Sequence, residues 1–567
     1  MKLLRKIIQF QGKSEFRFLK SMANEETNSP AKGVLALLLA SQLFLFVGMY
    51  MSARTTLMWF YGIISFVPAL LICLYTAKKK YVLPSLILLF ISQQAIWIFA
   101  NNPWGFAFGS DAVNDLHMAT VLSETNHFTL GQLGYTQRLS YSYYPMVHLF
   151  AVTLSKVTSL PLNFIAVYIV PFTSTALVTI ALYGLNGTFF KLSGRQKGLA
   201  TLLFQASFFY TSFQWQFIRE VYAFPLTLLT LWVASKVAAD FDKKYVLLAT
   251  LLIFAIVFAH QMSSYLLLVL LAVMTLSYSI FHRNHRLWIL FFLTVVILGG
   301  YTRFVTLSFS TTQLNYTLQG LQVIFDRSEA VTVLRRSSEF NLYLTYTYYL
   351  ILAFTALVGI LSFLRKKRRN WEAVSMIGFL TFAFLICVML RLSISANPWN
   401  WAYYMALRGT IWGFVGISVA ASAGIFVMFR LKNSKKAAFL ASVILIAVLA
   451  AGKFAQYNAL VTDTANTPVT ESRYMASTWL RDVSIHGSNM LIASYSIDNN
   501  AFEASRSMSP YAFLKEFFID ENENWSLADY TGYVPFVGEV YEQYNNGTSH
   551  VNIIYSNGDT KLGFKGQ

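Results

Sequence analysis

The segment FGSDAVNDLHMATVLSETNHF, residues 108 to 128, gathers side chains able to do acid/base or metal chemistry. Asp111 and Asp115 lie four residues apart, so a helix beginning near Ser110 sets both carboxylates on one face, with His117 and Glu124 further along. Paired carboxylates suit proton transfer or a divalent cation. The same spacing also fits a plainer role, because Ser110 and Asp111 are both good helix N-caps.

Other reactive groups recur at the ends of apolar runs. Arg219 and Glu220 stand together between two such runs, His260 and Gln261 occupy the tight turn AHQMSSY, Arg391 closes a run, and Arg408 sits a turn or two inside the next. A guanidinium near a membrane is costly unless it pairs or meets an anion, and its planar fork of donors matches phosphate. Each has a bland counterpart: snorkelling for Arg391 and Arg408, core packing for His260, and a loop ion pair for Arg219 with Glu220. The stretch YSYYPMVH after the acidic segment offers Tyr141, Tyr143 and Tyr144, either along a substrate path or in an interfacial aromatic belt.

The elements that must hold these groups are membrane helices. Of the 567 residues, 56% are hydrophobic and only 12% charged, and the mean hydropathy is +0.50. A soluble surface needs about twice that charge, which excludes a soluble enzyme. The net charge of +18 would suggest nucleic acid in a soluble protein, but the positive residues cluster between apolar runs, so a lipid bilayer is the expected partner and nucleic acid is not. Cys73 and Cys387 both lie inside apolar runs and can build neither a disulfide framework nor a thiolate metal site.

Apolar runs long enough to span occur near residues 33–52, 56–77, 81–100, 162–190, 198–217, 221–239, 244–260, 264–281, 286–304, 344–364, 372–391, 402–430 and 437–456, giving about 13 helices. The basic residues from Lys2 to Lys20 place the N-terminus in the cytoplasm. Lys78 to Lys80, the Lys191/Arg195/Lys197 loop, Asp240 to Lys244, His282 to Arg286, Arg365 to Arg369 and Arg430 to Lys436 then all face the same side. Residues 143–160 are apolar enough to span, but counting them would invert every later loop, so they are expected to form a juxtamembrane or re-entrant helix. The organisation expected is a basic cytoplasmic segment at 1–32, a transmembrane domain at 33–457 with outer loops 101–161 and 305–343, and a small extracytoplasmic α/β domain at 458–567. In that last part, residues 471–482 read as a helix, 490–495 as a strand, and 551–564 as a hairpin turning at Asn557-Gly558. The sequons at Asn315, Asn524 and Asn546 fall outside in this arrangement, while the one at Asn186 falls near the inner surface.

The acidic motif GSDAVNDLH in the first long outer loop, the YSYYP segment, REVYAFPL from Arg219, the HQMSSYLLL turn and a multispan body with an outer domain together resemble the GT-C superfamily of membrane glycosyltransferases. That class includes oligosaccharyltransferase catalytic subunits, protein O-mannosyltransferases and lipid A aminoarabinose transferases. Two additional spans precede the acidic loop here, a departure that bears on the subfamily. The tail, with RYMASTWL and IIYSNGDTKLGF, looks like outer domains of prokaryotic members. The resemblance implies transfer of a sugar from a polyprenyl-phosphate-linked donor to a glycan, lipid or protein acceptor on the outer face. It implies Asp111 as the catalytic carboxylate, and Asp115 as its support or as a second ligand to Mg²⁺ or Mn²⁺. It also implies Arg408 or Arg219 as phosphate-binding groups, with Arg391, His260, Glu220 and Tyr144 around them.

Two other classes remain. A flippase or transporter of a lipid-linked or anionic substrate would want polar residues near the midplane, and few stand out in the apolar runs. A polysaccharide polymerase or ligase would use outer arginines without needing the Asp111/Asp115 pair. The topology itself has a direct check: in intact cells, a thiol introduced at Ser556 is expected to react with an impermeant reagent and one at Ser434 is expected not to. The opposite labelling pattern would overturn the arrangement.

Overall fold

The computed structural model describes residues 66–74, 78–101, 110–127, 143–207, 216–307, 339–365, 370–393 and 401–429, the strand residues 552–556 and 561–564, and single positions between them. The spans expected near 33–52 and 437–456, and the elements expected at 471–482 and 490–495, lie wholly or largely outside the described residues.

The described helices are α1 (Lys79–Asn101), α2 (Ser110–Thr125), α3 (Met146–Thr158), α4 (Leu162–Thr188), α5 (Gly194–Gln205), α6 (Arg219–Ala239), α7 (Lys243–Ala259), α8 (Gln261–His282), α9 (Trp288–Phe304), α10 (Glu339–Arg365), α11 (Trp371–Ser393) and α12 (Trp401–Met428). Among the described residues, six of them are long and apolar enough to cross a membrane: α4, α6, α8 and the apolar parts of α10, α11 and α12. The described membrane part is therefore helical and polytopic, with at least six candidate spans. Large apolar side chains such as Leu251, Val296, Leu350 and Phe382 face outward, as lipid contact requires.

Helix α12 packs against α10, α11 and α5, and α4 against α6, α1 and α5. In lipid, helices gain little from apolar burial against one another, so close backbone approach and interhelical hydrogen bonds matter more. Gly359 and Gly424 meet where α10 crosses α12: a Cβ on Gly424 would lie 1.8 Å from the Thr355 carbonyl, and one on Gly359 1.9 Å from that of Ala420. A second device answers Pro225, which lies inside α6 and has no N–H to give the Val221 carbonyl one turn back. Ser174 of α4 donates its hydroxyl to that carbonyl at 2.6 Å. A buried polar seam also runs between α1, α4 and α5, where Thr175 donates to Gln94 and Gln205 donates to Thr179. The apolar runs thus hold more interior polar groups than their hydropathy suggests.

The bundle has two distinguishable ends. At one, the buried carboxylate of Glu372, at the start of α11, takes Lys191 Nζ at 2.9 Å and His282 Nε2 at 2.8 Å. Nearby, Asn284 and Arg286 donate to the last carbonyls of α6. Three segments expected on one side of the membrane are thereby joined. At the other end lie α2, α3, the start of α4 and the first turn of α6, around a separate apolar cluster that includes Ala112, Leu116, Val147, Ala151, Ile165 and Val221.

These elements bear on two expectations. Helix α3, from the ambiguous 143–160 segment, has 13 residues, about 20 Å of axis and shorter than a hydrocarbon core of about 30 Å. The run at 198–217 is not one span: α5 stops at Gln205. Beyond it, Tyr210 is buried, its ring 5.1 Å from Phe204 and 5.5 Å from Phe224. In the tail, strands β1 (Asn552–Ser556) and β2 (Lys561–Phe564) pair antiparallel, as a hairpin requires.

The α10/α12 crossing predicts a contrast. Gly424→Leu is expected to lower the melting temperature of the detergent-solubilised protein by the equivalent of about 1–3 kcal/mol of overpacking. Gly378→Leu, at an exposed position where a new Cβ meets nothing within 4 Å, is expected to leave it unchanged. Equal melting temperatures would contradict the packing.

Candidate functional site

Helix α2 presents Ala112, Asp115, Leu116, Ala119 and Leu122 inward. Every member of that face but Asp115 is apolar, and Asp115 itself is fully buried. A dry carboxylate has to be supplied with donors. Oδ1 lies 2.8 Å from Nε2 of His148 on α3, and Oδ2 accepts the backbone N–H of Arg219 at 3.1 Å. The Arg219 Nε also approaches Oδ1 to 3.1 Å, close enough for an ion pair though not aligned as a hydrogen bond. Since a carboxylate only accepts, His148 is the donor there and carries its proton on Nε2.

Arg219 is the first residue of α6, and Ile218 before it has no side chain able to cap. Asp115 therefore caps α6 from another helix, placing negative charge at the positive end of the helix dipole. Glu220, next in sequence, looks the other way and holds Nε of Arg408 on α12 in a close ion pair. The two neighbours at the start of α6 thus bind α2 on one side and α12 on the other. Arg219 and Arg408 keep 14% and 18% of their side-chain surface exposed, whereas Asp115 and Glu220 keep 1% and 4%. The arginine side chains are therefore more exposed than the carboxylates they pair with.

His260 sits in the turn between α7 and α8 and caps α8, its Nδ1 accepting the Ser263 backbone N–H at 3.3 Å. Burial first, and then the positive charges of Arg408 and Arg219, hold this imidazole well below its ordinary pKa. His260 is consequently a neutral ring near both arginines. Tyr144 is buried rather than lying in a surface belt, with its ring against Tyr301 and Phe309. Burial pushes its phenol upward.

Of the residues singled out from sequence, the structure brings Asp115, Arg219, Glu220, Arg408, His260 and Tyr144 to one end of the bundle. Glu124 is exposed on the last turn of α2. Asp111 lies on α2 one turn before Asp115, and Arg391 lies on α11, but the side chains of both, and that of His117, are outside the described residues. His148 was missed in sequence. The signal was an ionisable group on the buried face of a short apolar helix, between Val147 and Ala151.

A divalent cation of the Mg²⁺ type needs several oxygen ligands. Among the described residues no group of three His, Cys, Asp or Glu side chains could hold one, and Asp115 has donors on both oxygens. The described side chains do not fit a metal.

Solved structures resemble the chain at low identity. Against the Archaeoglobus fulgidus oligosaccharyltransferase in the apo form the identity is 15% and the TM-score 0.44, over 72% of this chain and 59% of that one. ArnT from Cupriavidus metallidurans bound to undecaprenyl phosphate gives 10% identity and a TM-score of 0.46, over 84% of this chain and 97% of that one. The chain thus spans about three fifths of the length of the oligosaccharyltransferase it matches. No protein-family model matches the chain, and no curated protein matches it by sequence.

Proposed function

We propose that the protein is a membrane glycosyltransferase that moves a sugar from a polyprenyl-phosphate-linked donor to an acceptor hydroxyl or amide at the end of the bundle holding Asp115, on the extracytoplasmic face. The observation that carries this reading is the pair of linked ion pairs, Asp115 with Arg219 and Glu220 with Arg408, at one end of a membrane bundle. They set two partly exposed arginine side chains near a helix that carries a second carboxylate, Asp111. The motifs that resemble those of the GT-C superfamily, GSDAVNDLH and REVYAFPL, carry Asp111, Asp115, Arg219 and Glu220.

The reaction breaks the bond between the anomeric carbon and the donor phosphate oxygen, and the lipid phosphate leaves with the electron pair. The acceptor oxygen or nitrogen forms the new bond to that carbon and gives up its proton. Asp111 accepts the proton or orients the nucleophile as the anomeric carbon becomes cationic. Arg408 and Arg219 stabilise the departing phosphate, and the neutral His260 ring near them adds a donor without adding charge. Asp115 supports α2 rather than reacting.

This division of labour separates the two carboxylates experimentally. Asp111→Asn keeps the shape but removes the proton acceptor, so transfer from a labelled polyprenyl-phosphate donor in reconstituted membranes is expected to fall by about 10² to 10⁴ while the donor still binds. Arg408→Ala is expected to weaken donor binding as well, because its partner phosphate is present before and during reaction. Asp115→Ala is expected to destabilise the fold itself by about 3–5 kcal/mol, read as a lower melting temperature, because it strands the buried end of Arg219. Full transfer by Asp111→Asn, or translocation of intact donor without a glycosidic product, would overturn the reading.

A further inference from the structure

We propose that His148 is a positioning residue for this transfer: by donating Nε2–H to Asp115 Oδ1 it fixes the carboxylate that holds α2 against α6, and so fixes the turn of α2 that carries Asp111. The inference rests on the transferase reading above and adds to it a residue that acts only through another.

The geometry is that of a clamp closed from three elements. His148 and Asp115 are 33 residues apart in sequence and 2.8 Å apart in space, with side chains 0% and 1% exposed. Water cannot replace either partner. The backbone N–H of Arg219 fixes Oδ2, and His148 supplies the aligned donor on Oδ1, where the Arg219 guanidinium is close but poorly directed. With both oxygens held, the carboxylate cannot rotate about its own bond. Without that donor, Oδ1 keeps only the poorly directed Arg219 guanidinium, and the turn of α2 that carries Asp111 is placed less precisely.

The imidazole is itself firmly mounted. At the start of its segment the Tyr301 hydroxyl donates to the Tyr143 carbonyl, the Tyr143 and Phe309 rings stack at 5.9 Å, and Tyr144 packs on Tyr301 at 6.1 Å. Along α3, Val147, Ala151 and Val152 are buried beside it. Asp115 already has the charge of Arg219 opposite it, so what the pair needs from His148 is a rigid donor and not a second positive charge. The role calls for a hydrogen bond and no proton exchange.

That distinction decides the test. Wild type, His148→Leu and His148→Gln are compared in proteoliposomes for transfer from the labelled polyprenyl-phosphate donor, with kcat, donor KM and the pH-rate profile recorded and folding checked by thermal unfolding. Leu removes the donor, whereas Gln offers an amide N–H at about the reach of Nε2. For His148→Leu, kcat is expected to drop by roughly 10²-fold, as small misplacements of a reacting group do, with donor KM within about twofold. His148→Gln is expected to recover at least about tenfold of that loss, and to keep the limbs of the wild-type pH profile. Equal loss in both variants, or a limb of the profile that vanishes in His148→Gln, would show His148 carrying a proton and would overturn the positioning role. Full activity in His148→Leu would overturn it too. Should His148→Leu not fold, the Gln variant decides alone: folded and active supports the proposal, and folded but inactive, or unfolded, refutes it. A wild type that makes no product from the donor defeats the transferase reading, an outcome distinct from all of these.

Discussion

A carboxylate shut away from water must be given donors by the protein, and the end of the bundle that holds the candidate site is organised around satisfying one. Removing Asp115 from water costs several kcal/mol. Two charge-assisted hydrogen bonds, from His148 and from the Arg219 backbone, return about 1.5–3 kcal/mol each, and the positive end of α6 adds up to about 2 kcal/mol more. These terms are of similar size, so the site is stable only with all of its parts in place. Helices α2, α3 and α6 therefore assemble together or leave a charge stranded. The separate apolar cluster beneath them, drawn from the same three helices and the start of α4, gives that assembly its apolar support.

Helix α6 carries this constraint across the molecule. Because Arg219 and Glu220 are consecutive at the start of a helix, their side chains diverge, and each finds a partner of opposite charge on a different neighbour. The far end of α6 is held as well, where Asn284 and Arg286 donate to its last carbonyls. Between the ends, Ser174 answers the carbonyl that Pro225 leaves open. A helix fixed at both termini and in the middle is a suitable frame for a reaction that depends on where charges stand. The opposite end of the bundle repeats the principle, with Glu372 joining Lys191 and His282 from two other segments.

What was legible in the sequence was whatever a local pattern could encode. Asp115 stood out because it follows Asp111 by one helical turn, and Arg408 because a charge inside an apolar run is expensive. The location of most site residues at one end of the bundle followed from counting basic loops. His148 was not legible, since its partner is 33 residues away and an isolated histidine in an apolar helix has no spacing to read. Glu372 was hidden for a related reason: it follows the basic run Arg365 to Arg369 and reads as a solvated charge, although it is fully buried. The run at 198–217 misled because hydropathy counts an aromatic ring as spanning material whether it faces lipid or, like Tyr210, folds into the core. Long-range pairing and the direction of a ring are properties of the folded chain.

The ion pairs also bear on how the proposed site would distinguish a reacting donor from a resting one. A sugar linked to a lipid phosphate is a phosphodiester with one negative charge, and the departing lipid phosphate carries two. Two unpaired arginines would hold the diester tightly, which lowers KM without lowering the barrier. Here each guanidinium is already opposed by a buried carboxylate, Arg219 by Asp115 and Arg408 by Glu220, so its field on the ground state is reduced. As the bond to the anomeric carbon breaks and charge gathers on the phosphate, the attraction of both arginines grows while their carboxylate partners stay fixed. Attraction that increases along the reaction is what accelerates a chemical step, and pairing each cation beforehand is a way of weighting the site toward the leaving group.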